Sequence, residues 1–309
     1  MIPPAHPRFV IITPAFNEEP YLEVTIPSVT SQTRVPLRWI IVDDGSTDHT
    51  REKVMQVAQA FPWVVYHRRH RQPGQAYFAS NVYAIMEGVD LAKDLDYEFL
   101  AILDADITLP YDYYEQIFAR FEADPELGVA SGVYENLIDG SLRKVLSDRR
   151  STPKAIQVFR RACFEQIGGY LPLPHGGEDT CSCVMARMNG WKTWSFPDIK
   201  VVHRRPTGVG NAKSILRARF VQGRADYGVS THPLFMIVKS FKRCLLESPR
   251  FVSGILRLAG YTYGFLKRDP RQMPPDVARF ARKEQLRRVF CFNRLPKSKR
   301  AASESSQDD

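Results

Sequence analysis

The sequence has few cysteines and no apolar run long enough to cross a membrane. None of its uninterrupted apolar stretches reaches the roughly eighteen residues that a transmembrane helix needs. The N-terminal residues lack the basic region and apolar core of a secretory signal, so we expect none. The five cysteines show no zinc-site or disulfide-framework spacing, since Cys181 and Cys183 stand one residue apart. These absences predict reduced thiols and a cytoplasmic protein.

Acidic residues are scarce in the C-terminal part. Residues 203–309 contain 23 Lys and Arg against 8 Asp and Glu, while the whole chain has 43 against 34. The preceding residues are therefore acidic overall. Basic surfaces attract phosphate, whether in nucleic acid, in anionic lipid or in a sugar donor. No recognisable nucleic-acid-binding module is present, so we expect no nucleic-acid partner.

Strand and helix patterns alternate in the first two thirds of the chain. Apolar, β-branched runs that predict strands are separated by longer segments with helical spacing. The first four predicted strands are Phe9–Ile12, Trp39–Val42, Val64–Tyr66 and Phe99–Leu103. Further strands, of mixed direction, are predicted at Val129–Tyr134, Ile156–Phe159, Thr193–Phe196 and Lys200–Val202. This alternation predicts an α/β fold with a mostly parallel central sheet flanked by helices.

From about residue 212 the pattern changes to helices separated by prolines. The predicted helices are Pro233–Leu246, Pro249–Leu266 and Pro274–Phe290. Their apolar faces are flanked by Lys and Arg, which fits peripheral binding to a membrane surface. Ordinary packing against the catalytic domain or a partner subunit fits equally well. We expect a catalytic domain at residues 8–211, a basic helical extension at 212–292 and a disordered tail at 296–309.

Two aspartates separated by one residue follow the predicted strand Phe99–Leu103. Asp104 and Asp106 would leave the core at the carboxyl end of that strand, where open α/β sheets bind ligands. Both carboxylates could then approach one hard cation, Mg²⁺ or Mn²⁺, together with a substrate diphosphate. The alternative is a strand followed by an Asp-capped turn.

Four motifs, in this order, give the chain a specific resemblance. They are Thr13–Glu19 (TPAFNEE), Val42–Asp48 (VDDGSTD), Leu103–Asp106 (LDAD) and Gly176–Thr180 (GGEDT). Their order and spacing resemble the family-two glycosyltransferases of the GT-A fold. The resemblance implies a sugar transferred with inversion from a nucleotide-diphosphate sugar, with UDP-sugar as the expected donor. It also implies Mg²⁺ or Mn²⁺ as the cofactor.

The resemblance assigns the first two motifs and part of the third to the nucleotide. Pro14 would stiffen the turn after the first strand, and Asn17 or Glu18 could hydrogen-bond a base or ribose. Asp44 and Asp104 complete the implied nucleotide-binding set. By itself the first motif is also an ordinary strand–turn–helix junction.

The metal and diphosphate would lie at the third motif. The resemblance implies Asp104 and Asp106 as metal ligands, with His203 as a further ligand from a later strand. Arg204 and Arg205, which follow that histidine, would contact the diphosphate. A purely structural role for His203 remains an alternative.

The fourth motif is implied to lie on the acceptor side. Asp179 is the predicted general base, because inverting transfer needs a carboxylate opposite the leaving group to take the acceptor proton. Glu178, Gly169 and Tyr170 would border the acceptor. Alternatively, Glu178 and Asp179 are simply anions that suit the first turn of a helix.

One departure from the family pattern concerns the phosphate. Residues 79–81, Ala-Ser-Asn, replace the family's Ala-Arg-Asn, so an arginine is missing. Arg68, Arg69 or Arg71 could supply the charge, or these three could form a solvated basic loop.

Together these features predict a metal-dependent inverting glycosyltransferase. It would act at the cytoplasmic membrane face on a lipid-linked or growing polysaccharide acceptor. One alternative is a sugar nucleotidyltransferase, although the Gly-rich loop that such enzymes carry after the first strand is absent here. Another is a non-catalytic module that binds nucleotide sugars.

Overall fold

The structure is a computed structural model that describes residues 7–71, 74–145, 148–205 and 214–290. The predicted tail at 296–309 and the predicted domain boundary at 211–212 lie outside these residues. The division into two domains therefore stays a prediction.

Strands within the described residues form one mixed sheet. They are β1 (Phe9–Ala15), β2 (Arg38–Asp43), β3 (Val64–Arg68), β4 (Phe99–Ile102), β5 (Ile107–Thr108), β6 (Leu127–Ile138), β7 (Ser141–Lys144), β8 (Val158–Arg160) and β9 (Lys192–His203). Their order is β3-β2-β1-β4-β8-β6-β9-β5, with β7 paired to β6. The longer ladders, including β1–β2 and β6–β9, are parallel. Those made by β8, β5 and β7 are short and antiparallel.

Helices cover the sheet and continue beyond it. In the described ranges they are α1 (Glu19–Thr30), α2 (Thr50–Ala60), α3 (Tyr77–Leu91), α4 (Tyr113–Ala123), α5 (Arg161–Gln166), α6 (Glu178–Met188), α7 (Ile215–Gly228), α8 (Pro233–Leu246), α9 (Val252–Leu266) and α10 (Pro275–Phe290). A 3₁₀ turn at Lys154–Ile156 precedes β8. The predicted α/β class with a C-terminal helical extension is confirmed.

The core lies on both faces of the parallel strands because these strands are apolar along their whole length. All seven residues of β1 and all four of β4 are buried. One cluster contains Ile11, Trp39 and Phe121, and the opposite face contains Ile12, Val42 and Phe159. Strands buried on both faces read as continuous apolar runs, which is how the sequence revealed them. Their carboxyl ends open at one edge of the sheet.

The described structure differs from the predicted elements in the second half of the sheet. Two strands predicted around Pro197 are one long strand, β9, which follows β6 with a shift in register between Ser131 and Val133. The shift accommodates the proline, which cannot donate a ladder hydrogen bond. β5 pairs with the end of β9, so that Ile107 lies opposite His203. This pairing brings the Asp104–Asp106 segment to the last strand.

The helical extension packs tightly by backbone contact. A Cβ on Gly260 of α9 would lie 2.0 Å from the carbonyl oxygen of Phe220 on α7, and one on Gly223 would lie 1.9 Å from that of Arg257. Only glycine permits so close an approach. Gly264 packs against the ring of Tyr227, so the Gly260–Gly264 spacing marks a helix-packing face. Helix α7 was not predicted individually, and α9 begins at Val252 rather than Pro249.

Helix α10 of the extension packs against α6. Cys181 and Val184 of α6 share an apolar cluster with Val277 and Ala281 of α10. Among the described helices, none has the length and apolar character needed to span a bilayer.

Candidate active site

The turns after β1 and β2 are fastened to each other by side chains. Asn17, which adopts a left-handed backbone with φ 55°, accepts a hydrogen bond from the Thr47 backbone N–H (2.8 Å). Its own N–H donates to Ser46 Oγ (2.9 Å). Asp43 accepts from the backbone N–H of Ser46 (2.7 Å) and from the hydroxyl of Tyr66 (2.6 Å). These contacts make Asn17 and Asp43 braces for the loops that carry Glu18 and Asp44.

Asp44 is buried beside an arginine that the sequence left undecided. Arg69 forms an ion pair with Asp44, and both side chains are only 6% exposed. Ser80 donates to the other carboxylate oxygen (2.5 Å), and Gln75 accepts from Arg69 (2.8 Å). Ser80 is the residue that stands where the family carries an arginine. Arg69 is therefore a buried partner of Asp44 rather than part of a solvated loop.

A narrow slot lies between the ends of β1 and β2 and the start of α3. Its lining residues are Pro14, Ala15, Phe16, Glu18, Asp44, Arg71, Tyr77 and Asn81. The guanidinium of Arg71 lies 5.1 Å from the ring centroid of Phe16. The slot thus combines flat, apolar surfaces with a buried carboxylate, but it holds only about 20 Å³, so a base would stack over its mouth rather than enter it. Three of the predicted nucleotide contacts, Pro14, Glu18 and Asp44, line it.

Asp104 pairs with a lysine that sequence reasoning missed. Lys154 Nζ donates to Asp104 Oδ1 (2.7 Å) and to Asn81 Oδ1 (2.8 Å). The backbone N–H of Asp104 donates to the carbonyl of Ala155 (3.0 Å), which fixes the 3₁₀ turn that carries Lys154. No motif marked this lysine, because its proximity to Asp104 arises from the pairing of β8 with β4.

Asp106 is more deeply buried than Asp104. Its Oδ1 lies 3.2 Å from Nε2 of His203, and its Oδ2 lies 3.3 Å from Nε of Arg205. Arg205 also forms an ion pair with Glu18. Burial opposes the ionisation of Asp106, but His203 and Arg205 hold its pKa below the ordinary value. Burial raises the pKa of Glu18 to about 8 against the opposing charge of Arg205.

Asp106 and His203 are the residues that could bind a divalent cation. Within the described ranges, no group of three or more His, Cys, Asp and Glu side chains is close enough to hold a metal ion. Asp106 Oδ1 and Nε2 of His203 nevertheless lie only 3.2 Å apart, so a carboxylate oxygen and an imidazole nitrogen converge at one point. Carboxylate oxygen and imidazole nitrogen are suitable donors for Mn²⁺. The residues present fit such an ion, with Lys154 on the carboxylate of Asp104.

Glu178 and Asp179 lie in the first turn of α6. Gly177, with φ 100°, turns the chain immediately before them. Burial raises the pKa of both carboxyls, and repulsion from Asp179 helps to raise that of Glu178 to about 7. The backbone N–H of Thr180 donates to Asp179 Oδ1 (2.6 Å), while Oε2 of Glu178 is buried without a hydrogen bond. A carboxylate with a raised pKa is suited to accept a proton near neutral pH.

A cavity of about 690 Å³ joins these groups. Asp104, Asp106, Lys154, Glu178, Asp179, His203 and Arg205 all line it. Helices α7, α8 and α9 form a second wall, called the helical wall, with Arg219, Lys239, Arg243 and Arg257. Sequence reasoning named no residue of this wall, because its members come from three helices without a recognisable motif.

Other predicted site residues lie away from the cavity lining. Gly169 (φ 78°) ends the turn after α5, and Tyr170 is buried against Phe159 and Phe164 with its hydroxyl on Gln157. Arg204 donates from Nε to Thr108 Oγ1 (2.9 Å).

Comparison with known proteins decides the family. The model of the family described as "Glycosyl transferase family 2" matches residues 10–189, which include all four motifs. The chain belongs to glycosyl transferase family 2. Within this family-2 chain, residues 214–290 lie beyond the matched region, so the helical wall of the cavity is outside the part that defines the family.

One curated relative agrees with this assignment. An uncharacterized glycosyltransferase of Nostoc sp. is 28% identical over 145 residues, which is 47% of this chain and 41% of the relative. The chain thus spans less than half the length of that relative.

Two solved structures share the GT-A fold. The mannosyltransferase PcManGT from Pyrobaculum calidifontis, solved with GDP-Man and Mn²⁺, is 17% identical with a TM-score of 0.57, over 94% of this chain and 82% of that one. TarS residues 1–349 from S. aureus are 16% identical with a TM-score of 0.52, over 91% and 90%.

Proposed function

We propose that this family-2 chain transfers a sugar, with inversion, from a nucleotide-diphosphate sugar to a hydroxyl of an acceptor. One observation carries the proposal: Asp104 and Asp106 line the same cavity as Glu178 and Asp179. The first pair follows a parallel strand and the second begins a helix. Donor and acceptor would therefore meet between them.

The donor would lie along the ends of β1, β2 and β4. Its base would lie over the mouth of the slot, beside Phe16 and near Asp44, and its diphosphate would lie near Arg205 and Lys154. Those two cations now pair with Glu18, Asp106 and Asp104. Fixed positive charge at the leaving group stabilises the negative charge that develops there.

A divalent ion, Mg²⁺ or Mn²⁺, would be held by Asp106 and His203, with Asp104 beside it. When bound, it would supply a Lewis acid for the diphosphate oxygens. PcManGT, which shares the fold, is described with Mn²⁺ and GDP-Man. Nothing in the slot distinguishes uracil from guanine, so UDP-sugar remains the expected donor only by family resemblance.

Asp179 would act as the general base. The acceptor oxygen forms a bond to the anomeric carbon while the bond from that carbon to the diphosphate breaks. The acceptor proton passes to the Asp179 carboxylate, and the electron pair leaves with the nucleoside diphosphate. Burial raises the pKa of Asp179, which makes it a stronger base than an exposed aspartate.

The acceptor would be lipid-linked or a growing polysaccharide, used at the cytoplasmic membrane face. The exposed apolar residues of α8 and α9, such as Phe241 and Ile255, support a peripheral contact with the membrane. A sugar nucleotidyltransferase gains no support from the family assignment. A non-catalytic module is disfavoured because all the carboxylates of the four motifs are present.

Release of nucleoside diphosphate from a panel of nucleotide sugars, with and without Mn²⁺, tests the proposal. We expect Mn²⁺-dependent release from one donor, and loss of that release in Asp106→Asn. Asp94→Asn, an exposed aspartate outside the cavity, is the matched control. Nucleotide-sugar binding without release under any acceptor condition would favour the non-catalytic module instead.

A further inference from the structure

Three arginines from three different helices surround one glutamate in the helical wall of the cavity. Arg219 comes from α7, Arg243 from α8 and Arg257 from α9. Arg219 Nη1 and Arg243 Nη1 each lie 3.0 Å from Glu247 Oε1, and Arg257 Nε lies 3.0 Å from Oε2. These four residues, here called the arginine cluster, all line the cavity.

The arginine cluster has more positive charge than its glutamate can balance. Each guanidinium offers five N–H donors, whereas Glu247 has only two oxygens. Arg219 Nε is buried without a hydrogen bond. The neighbouring pair of Lys239 and Asp226 is neutral as a pair (2.6 Å), so it does not remove the surplus.

Because these cations are buried, their surplus positive charge destabilises the protein. Burial, followed by repulsion from Arg257, lowers the pKa of Arg243. Burial also lowers the pKa of Arg219. An unpaired buried charge destabilises a protein unless a counter-charge arrives. Arginine forks match phosphate oxygens in geometry as well as in charge, so a phosphate is the anion that these residues suit best.

An apolar surface continues from the arginine cluster to the outside of the protein. Leu246 lines the cavity together with Pro249, yet its side chain is 60% exposed. Exposed apolar residues on α8, on α9 and just before α9 extend this surface; they are Phe241, Leu245, Phe251, Val252, Ile255 and Leu258. A ligand with its phosphate on the arginines could therefore lay a hydrocarbon chain over these helices.

We propose that the arginine cluster binds the phosphate of a lipid-linked acceptor whose hydrocarbon chain lies on α8 and α9. The proposal rests on the glycosyl transfer proposed above, because it names the acceptor of that reaction. The phosphate anchors the acceptor at the helical wall of the cavity that also contains Asp106. A hydroxyl of the sugar attached to that phosphate then reaches Asp179.

Binding measurements on the full chain test this assignment. The probe is a polyisoprenyl diphosphate in neutral detergent micelles, titrated calorimetrically, with the corresponding polyisoprenol and inorganic pyrophosphate as separate arms. The variant is Arg219→Gln/Arg243→Gln, which leaves Arg257 and Glu247 as a balanced pair. Arg279→Gln, an exposed arginine on α10, removes one like charge outside the cavity.

We expect the double variant to raise the Kd for the lipid diphosphate by about tenfold or more, since each lost charge-assisted hydrogen bond is worth at least that factor. The Kd for polyisoprenol and for nucleoside diphosphate should not change, and Arg279→Gln should bind like the wild type. Circular dichroism and thermal unfolding of the double variant establish that it is folded.

Two results would overturn the assignment. Equal binding of the lipid diphosphate by wild type and double variant would remove the arginines from acceptor recognition. Equally tight, arginine-dependent binding of inorganic pyrophosphate would assign the arginine cluster to a soluble phosphate. Failure of the proposed function is seen separately, as the absence of nucleoside diphosphate release in the wild type.

Discussion

The two walls of the cavity differ in their balance of charge. The sheet wall contains Asp104 and Asp106, and the helical wall contains the arginine cluster. On the sheet side carboxylates outnumber their cations: Asp44 pairs with Arg69 and Asp104 with Lys154, but Asp106 and Glu18 share Arg205. On the helical side three arginines share Glu247. The sheet wall is thus rich in carboxylates, while the helical wall carries a surplus of positive charge. A surplus of this kind is expected where a ligand supplies the missing charge.

The largest expected effect lies at the proposed base in the first turn of α6. Asp179→Asn should lower kcat by about 10²–10⁴-fold, because an amide cannot accept the acceptor proton. The affinity for the donor nucleotide should stay unchanged, since that ligand would lie on the other side of the cavity. Steady-state kinetics and nucleotide binding check this. A kcat close to that of the wild type would exclude Asp179 as the base.

Removing one member of a balanced pair should cost stability. Arg69→Met leaves Asp44 buried without its cation, which should lower the free energy of unfolding by about 3–5 kcal/mol. Arg71→Met is the matched control, since its Nη1 is 3.9 Å from Asp44 and its side chain is 30% exposed. Urea denaturation compares the two variants. Equal losses would mean that Asp44 is not held by one arginine.

The pKa of Glu178 sets a pH dependence of stability. Because burial raises that pKa from 4.5 to about 7, the folded state favours the protonated form. Its contribution to stability is complete below pH 4.5 and is lost as the pH rises through 7. The glutamine of Glu178→Gln does not ionise. As the pH rises from 5 to 8, the free energy of unfolding of this variant should therefore increase relative to that of the wild type by up to about 3 kcal/mol.

Denaturation midpoints measured across this pH range are the readout. Glu122→Gln, at an exposed position on α4, should follow the wild type at every pH. A constant difference between Glu178→Gln and the wild type would mean that Glu178 titrates as an ordinary exposed glutamate.

The smallest effect concerns the helices that carry the arginine cluster. Gly260→Ala would force its Cβ against the carbonyl of Phe220, which should cost about 1–3 kcal/mol by pushing α9 from α7. Gly228→Ala is the control, because the nearest atom to its Cβ would be 3.6 Å away. If thermal unfolding of both variants matched the wild type, close backbone contact would not hold Arg219 beside Arg257.

The fold could be predicted from sequence wherever a strand is marked by an apolar run within one short segment. β1, β2 and β4 are continuous apolar runs, and the acidic residues that follow them mark the edge of the sheet. Pairing between distant segments could not be predicted. Lys154 meets Asp104 only because β8 pairs with β4, and one register shift makes β9 a single strand despite Pro197.

In the candidate site, too, residues within sequence motifs could be predicted, whereas residues brought together by packing could not. Asp44, Asp104, Asp106, Glu178 and Asp179 belong to motifs and line the slot or the cavity, although their roles remain predictions. Tyr170 was expected on the acceptor side, but its ring is in the core. Arg219, Arg243 and Arg257 lie far apart in the sequence, so only the packing of three helices brings them together.

The short ladder between β5 and β9 has a consequence for evolution of the site. Ile107 lies opposite His203, and neighbouring side chains on a strand point to opposite faces. Deleting one residue from β9 would turn the imidazole away from Asp106 and bring Val202 or Arg204 in its place. Insertions and deletions should therefore be far rarer between Lys192 and His203 than in the loops around them.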